Sequence, residues 1–409
     1  MLKRRYQFLS DPDVEKIVEF SDGNARVAFA LASTSENTGE LAQLMDADLF
    51  QRLFVQKHSA TDELQRCAEA ASLLYSFDAE DSSANSELAI LSSLSEVTIP
   101  SFLRNIVALQ QRGLVQQRGQ WRAVLPHAIA NRLALEVIEF YPAETLVEKF
   151  VLGASERVAR SFTRRLGYLH QSNYARNIVE KWLKPDGLLG ELGQLNELKR
   201  QIFKNVAPVN QRAALNALLR SVESKDFIST SNRNRGHYAR IIRSLAYEQD
   251  QFHQATSALL RFALEEPDDY KSDSVRDILE SLFYFCLSGT QASPEQRATF
   301  VRRLVDSKEA ASEKVALLLL RAGLKTGHIS SDYDFDFGAL KRDYGWYPKT
   351  VSEIHEWYGH FVCIAVDLGK SKTSAAVYKA VSSAKPTSCL NSIWLSTSQA
   401  SASFLTLSA

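Results

Sequence analysis

From Asp11 the chain places apolar residues at helical spacing. Ser10-Asp11-Pro12-Asp13 supplies cap and first-turn chemistry, and Val14, Ile17 and Val18 line one side as far as Phe20, before Ser21-Asp22-Gly23-Asn24 interrupts. A second predicted helix, 24–33, is small and apolar on nearly every side apart from Arg26, so it must be enclosed by neighbours. The polar stretch 33–39 reads as a linker. Leu41, Leu44, Leu49, Leu53 and Phe54, and then residues 64–74, predict two further helices, and the pattern breaks over 78–86.

A tighter grammar follows. A short helix at 86–94, a turn through Ser95-Glu96-Val97 and a helix at 98–112 whose Ile99, Phe102, Leu103, Ile106, Val107 and Leu109 share a face make a helix-turn-helix. Leu114-Val115-Gln116-Gln117 and Gln120-Trp121-Arg122-Ala123-Val124-Leu125 then read as two short strands around Arg118-Gly119, the pattern of a wing. A helix at 126–139 opens on Pro126, at the position where a missing N–H costs little, and Pro142 closes the segment. The expected fold is mainly α: a winged-helix domain over 36–142, then an irregular α-helical repeat solenoid over 143–384.

That second region reads as amphipathic helices of roughly 10 to 17 residues without a fixed repeat period, at 195–206, 212–222, 238–247, 254–263, 275–287, 294–305 and 308–324. Arrays of this kind present a surface to a protein partner. Two aromatic, turn-rich stretches, 332–338 and 342–350, interrupt it before a helix at 351–368, and they read as packed loop. From Lys385 the composition turns to Ser, Thr and Ala, which predicts a disordered or out-of-frame tail over 385–409.

Composition narrows the functional classes. The chain has 409 residues, 45% hydrophobic, with 48 basic and 48 acidic side chains, so it is long enough for several cores and has no net field to gather nucleic acid or an anionic membrane. Cys67, Cys286, Cys363 and Cys389 lie far apart without metal or disulfide spacing, which points to a reducing, cytoplasmic setting. No run approaches the roughly 18 apolar residues of a spanning helix.

Several short motifs fail on their own chemistry. Gly369-Lys370-Ser371 would need glycine at 364 to complete a phosphate loop, and Ile364 stands there; 365–373 also looks like a first phosphate segment of actin-like ATPases, but only about 40 residues follow it. His355 and His360 are one residue too far apart for a zinc helix, about 140° apart around the axis. Asp336-Phe337-Gly338 has no accompanying kinase elements. No metal site and no catalytic constellation emerges, so the chain is expected not to be an enzyme. The helix at 98–112 could lie on DNA with Arg104, Arg112 and the wing residue Arg118 as contacts, but these are few cations for neutralising phosphates.

The order of Phe20-Ser21-Asp22-Gly23-Asn24-Ala25-Arg26, a winged helix and helical repeats resembles the back half of STAND NTPases, the signal-transducing ATPases related to apoptotic and plant-resistance ATPases. The resemblance implies that 1–35 is the remnant of the ATPase's helical lid, with Arg26 in its Gly-Asn-x-Arg-like segment. It also aligns Leu125-Pro126-His127-Ala128 with the family's Met-His-Asp motif, whose histidine touches the nucleotide phosphate; Ala128 stands where the acid is expected. The stretch 336–350 looks like a segment of large bacterial STAND sensors, some of them antiviral. With no Walker A or Walker B segment, the resemblance implies a truncated or split regulatory protein. It would bind ATP or ADP only if the missing NTPase portion were supplied, and its partners would be a protein ligand on the solenoid and that NTPase or effector portion. The alternative expectation is a winged-helix transcription regulator with a helical ligand-sensing domain.

Overall fold

In a computed structural model the protein is mainly helical, and the structure describes residues 1–21, 25–35, 62–125, 127–270, 273–325, 336–340 and 342–371. It divides into two compact units, one of residues Met1–Val179 with Asn196–Val209, the other of Glu180–Leu195 with the chain from Asn210 onward. The division falls near Val179, some way past the change of pattern at 142. Among the described residues no helix is long and apolar enough to cross a membrane. The helix predicted from Leu41 to Phe54, residues 36–39 of the predicted linker and the tail at 385–409 lie outside the described residues, whereas 33–35, read as the start of that linker, continue a helix as far as Ser35.

The first unit opens with α1 (Leu2–Arg5), α2 (Asp11–Ser21) and α3 (Ala25–Ser35). α4 (Asp62–Ser72), β1 (Phe77–Asp78), α5 (Glu87–Leu94), α6 (Ile99–Gln111), β2 (Val115–Arg118), β3 (Trp121–Val124) and α7 (His127–Phe140) follow. After α7 the unit continues through α8 (Ala143–Val147), α9 (Glu156–Leu166), the start of α10 (Asn173–Leu183) and α11 (Glu197–Val206).

Capping side chains set the helix starts: Ser86 Oγ accepts from Ala89 N, Thr98 Oγ1 from Ser101 N and Ser155 Oγ from Val158 N. Glu96 turns the chain between α5 and α6 with φ +55°, and Ser95 beneath it donates to Leu91 O at 2.8 Å. Three strands form one antiparallel sheet in the order β1-β3-β2, with Val115 opposite Val124, Arg118 opposite Trp121, and Phe77 opposite Arg122. Gly119, at φ +58°, makes the β2–β3 turn, a conformation glycine adopts without a Cβ clash. β1 is not visible in the sequence pattern, because two residues show no period and their partners lie more than 40 residues away.

The sheet and helices close over one apolar core. Phe77 and Phe102 meet edge to face at 6.0 Å between centroids, and Leu88, Leu91, Leu109 and Leu133 are fully or almost fully buried around them.

The second unit contains α12 (Gln211–Ser221), α13 (Lys225–Ile228), α14 (Arg235–Leu245), α15 (Gln249–Leu264), α16 (Val275–Ser281), α17 (Pro294–Asp306), α18 (Ala310–Leu324) and α19 (Val351–Ser371). α17 starts on a capping box: Ser293 Oγ accepts from Gln296 N, and Gln296 Oε1 accepts from Ser293 N. The helix expected over 275–287 stops at Ser281. Leu287 takes φ +51°, and the carbonyls of Tyr284 and Thr290 turn away to accept from the Arg297 guanidinium, so tertiary hydrogen bonds take the place of helical ones.

The aromatic stretch after Asp336 is packed. Tyr247 Oη donates to Asp343 Oδ1 at 2.9 Å, Gly345 N donates to the same oxygen at 2.8 Å, and Trp346 N donates to Thr290 O at 2.8 Å. Gly345 has φ +86°, and a Cβ there would lie 2.5 Å from the Thr290 backbone, so both conformation and space require glycine. Trp346 stacks on Trp357 of α19 at 5.5 Å, and Trp357 Nε1 donates to Gly323 O at 2.8 Å. Gly369 continues α19 as helix, so the Gly369-Lys370-Ser371 tripeptide forms no loop.

Candidate functional site

Among the residues the sequence singles out, His127 has the most distinctive surroundings. It is the first residue of α7, and its Nε2 lies 3.1 Å from Tyr75 Oη in the segment that follows α4. Its ring stacks on Tyr75 at 4.9 Å between centroids and lies nearly parallel to Tyr168 at 6.1 Å, while Tyr75 and Tyr168 are 6.2 Å apart. Three half-buried rings from three places in the first unit therefore share one small region.

α9 brings two cations to these rings. It is pinned to the same segment by Tyr75 N donating to Ser161 O at 3.2 Å and by Ser161 Oγ donating to Ser76 O at 2.7 Å. The exposed Arg164 guanidinium lies 3.7 Å from the Tyr75 ring centre, close enough for a cation–π contact. Arg165 is fully buried; its Nε donates to Ser72 O at 2.9 Å and its Nη1 to Asn131 Oδ1 at 2.6 Å. Neither arginine has a carboxylate partner among the described residues. Arg165 Nη2 and His127 Nδ1 are buried and lack a hydrogen-bond partner among them.

The titration of these groups follows from burial. Desolvation, with the Arg165 and Arg164 charges added, lowers the His127 pKa below its ordinary value, so its neutral form is favoured. Burial pulls the Arg165 guanidinium down to about 10, with Tyr75 and Tyr168 opposing that change. The cluster is electropositive and aromatic, and Arg164 is its exposed edge. A guanidinium offers an N–H fork that matches an oxyanion in bidentate fashion.

Tyr75, Tyr168, Arg164 and Arg165 were not legible as site residues. One signal was present: Val158, Phe162 and Leu166 mark the buried side of α9, and Arg165 falls on that side, where a charge needs a reason. The ring partners lie 52 and 41 positions from His127, and only the packing of α9 on the chain after α4 brings them together.

The other candidates are spread over α3, α6, the β2–β3 turn and α19. Arg26 belongs to α3, but its side chain and Gly23-Asn24 before it lie outside the described residues. Arg104 is exposed on α6, in a ridge with Pro100, Val107 and Gln111 that carries that one cation. Ser101 and Asn105, on the neighbouring face, both donate to Glu63 of α4, Asn105 at 2.8 Å, and these bonds lower the Glu63 pKa. Arg112 caps the end of α6 half buried, and desolvation lowers its pKa; Arg118 is exposed at the β2–β3 turn.

His355 is exposed on α19, and His360 faces Glu356 one turn away at 3.9 Å. Among the described residues no three His, Cys, Asp or Glu side chains converge as metal ligands. Compared with family models, curated proteins and solved structures, the chain matches none.

Proposed function

We propose that this chain is a regulatory, non-catalytic protein of the STAND type. In this reading 36–142 is a winged-helix domain, and the helices after it form an irregular repeat array that binds a protein partner. The observation that carries the reading is the sheet order β1-β3-β2 with the α5–α6 turn between β1 and the hairpin, the arrangement expected of a winged helix. His127, opening the helix after the hairpin, stands where the family keeps its nucleotide-touching histidine, and its electropositive surroundings fit contact with an anion. Without a phosphate loop to cradle a nucleotide, the chain senses rather than hydrolyses.

Purified chain is expected to release no phosphate from ATP above background, alone or as Arg26→Ala and His127→Ala. Turnover that either substitution abolishes would sink the proposal. DNA binding is the second reading, and the exposed Arg104 and Arg118 are its support. Sequence-selective, salt-sensitive retention of duplex DNA, lost in Arg104→Ala, would favour it.

A further inference from the structure

α18 is apolar nearly all the way round. Its run Val315-Ala316-Leu317-Leu318-Leu319-Leu320 leaves no polar face, and a helix of that kind is ordinarily enclosed. One side is enclosed: Val315, Ala316, Leu319 and Leu320 are buried against α15, α16, α17 and α19. The other side lines a cleft of about 750 Å³, opposite Leu264 and the Glu266-Pro267-Asp268 turn that follows α15. There Leu317 and Leu318 are half exposed, and Ala310 and Ala311 are exposed.

The charged lining leans basic: Lys314, Arg321 and Arg276 stand against Glu266 and Asp268, and Glu313 is half exposed beside Lys314. Lys314 and Arg321 stand seven residues apart, two turns along one line of the helix, with Leu317 and Leu318 to either side. Lys314 reaches Asp268 at 2.7 Å, both exposed, and such a surface pair is weak and exchangeable. Arg321 has no ion-pair partner among the described residues. Glu266 on the floor is buried and bound to Arg235 at 2.7 Å, so it does not offset the cations at the mouth.

We infer that this cleft is a docking groove for an acidic amphipathic helix of a partner protein. Its apolar anchors would sit on Leu317, Leu318 and Leu264, and carboxylates two turns apart would pair with Arg321 and Lys314. A second helix laid alongside α18 can meet its apolar positions and its two cations in register. The inference rests on the proposed protein-binding role of the second unit and gives that partner a chemistry.

The test is a displayed library of helical peptides of about 18 residues, five turns, with Leu or Phe on one face and Glu or Lys randomised along its flanks, selected on the full chain. Glu-flanked peptides should be enriched. Their affinity should fall at least about tenfold on Leu318→Asp and on Arg321→Glu, and a Lys-for-Glu exchange in the peptide should restore binding to Arg321→Glu. Helical circular dichroism equal to wild type would show that both variants fold. Peptides whose affinity ignores both changes would overturn the groove and leave the protein-binding role standing. Equal enrichment of Lys-flanked peptides would overturn the charge pairing and with it the groove. ATP turnover by the same preparation would overturn the regulatory reading alone.

Discussion

Each unit buries an arginine without giving it a carboxylate, and the two are held differently. Arg297 in the second unit spends all three nitrogens on carbonyls: Nε on Ala292 O and Nη1 on Tyr284 O at 3.1 Å each, and Nη2 on Thr290 O at 3.3 Å. Trp357 and Trp346 flank it, with ring centres 5.0 and 5.8 Å from the guanidinium carbon. Arg165 in the first unit bonds through two nitrogens and leaves the third without a partner among the described residues, beside a histidine that also has an open nitrogen. A buried cation with each nitrogen bonded to a carbonyl is structural: it organises an irregular backbone that no helix can satisfy. A buried cation with an open donor, next to an exposed Arg164, is what the proposed anion contact of His127 would draw on.

The largest expected effect comes from breaking the saturated member. Arg297→Met should cost about 3 kcal/mol in urea unfolding, because the Ala292 and Tyr284 carbonyls lose their guanidinium donor, Thr290 O keeps only Trp346 N, and the tryptophan packing loosens. Relief of the guanidinium's own burial works against this loss, and burial already holds its pKa down to about 9. A near-neutral result would mean that the cation is not what orders the 284–292 segment. Near-ultraviolet circular dichroism from the Trp346–Trp357 stack should change alongside.

Arg165→Met should cost less, about 1–2 kcal/mol in the same assay, since it orphans Ser72 O and a half-exposed Asn131 that water can reach. If it cost more than Arg297→Met, Arg165 would be the structural residue and the contrast would be reversed.

The smallest effect is a change of slope with pH. The folded-state pKa of His127 lies below its unfolded value of about 6.5, so the unfolded chain binds the extra proton first as pH falls. Its contribution to stability is complete above the unfolded value and is lost on acidification through the window between the two. His127→Asn should therefore flatten the fall in stability between pH 7 and 5. His170 and His253, also lowered by burial, keep part of the slope. An unchanged slope would show that His127 is not held neutral by its neighbours.

Much of the fold follows from local pattern. Ser86, Thr98, Ser155 and Ser293 each start a helix, and apolar spacing placed the body of most of the longer described helices, though not of α1, α8, α9, α10 or α13. The β2–β3 hairpin was legible from its Arg118-Gly119 turn, whereas β1 was not, since a two-residue strand exists only through its pairing with β3. The irregular ends were also hidden: 282–287 reads as helix, but Arg297 takes the Tyr284 carbonyl, and with Trp346 the Thr290 carbonyl just beyond.

What the sequence alone determined is therefore the mainly helical class, the position of most elements, and His127 as a residue to examine. These depend on contacts a few residues apart, which capping and periodicity record. What only tertiary structure decided is the company those residues keep: the Tyr75, Tyr168, Arg164 and Arg165 neighbours of His127, the saturation of Arg297, and the open side of α18. Those depend on which helices meet across tens or hundreds of residues, and no local spacing carries that information.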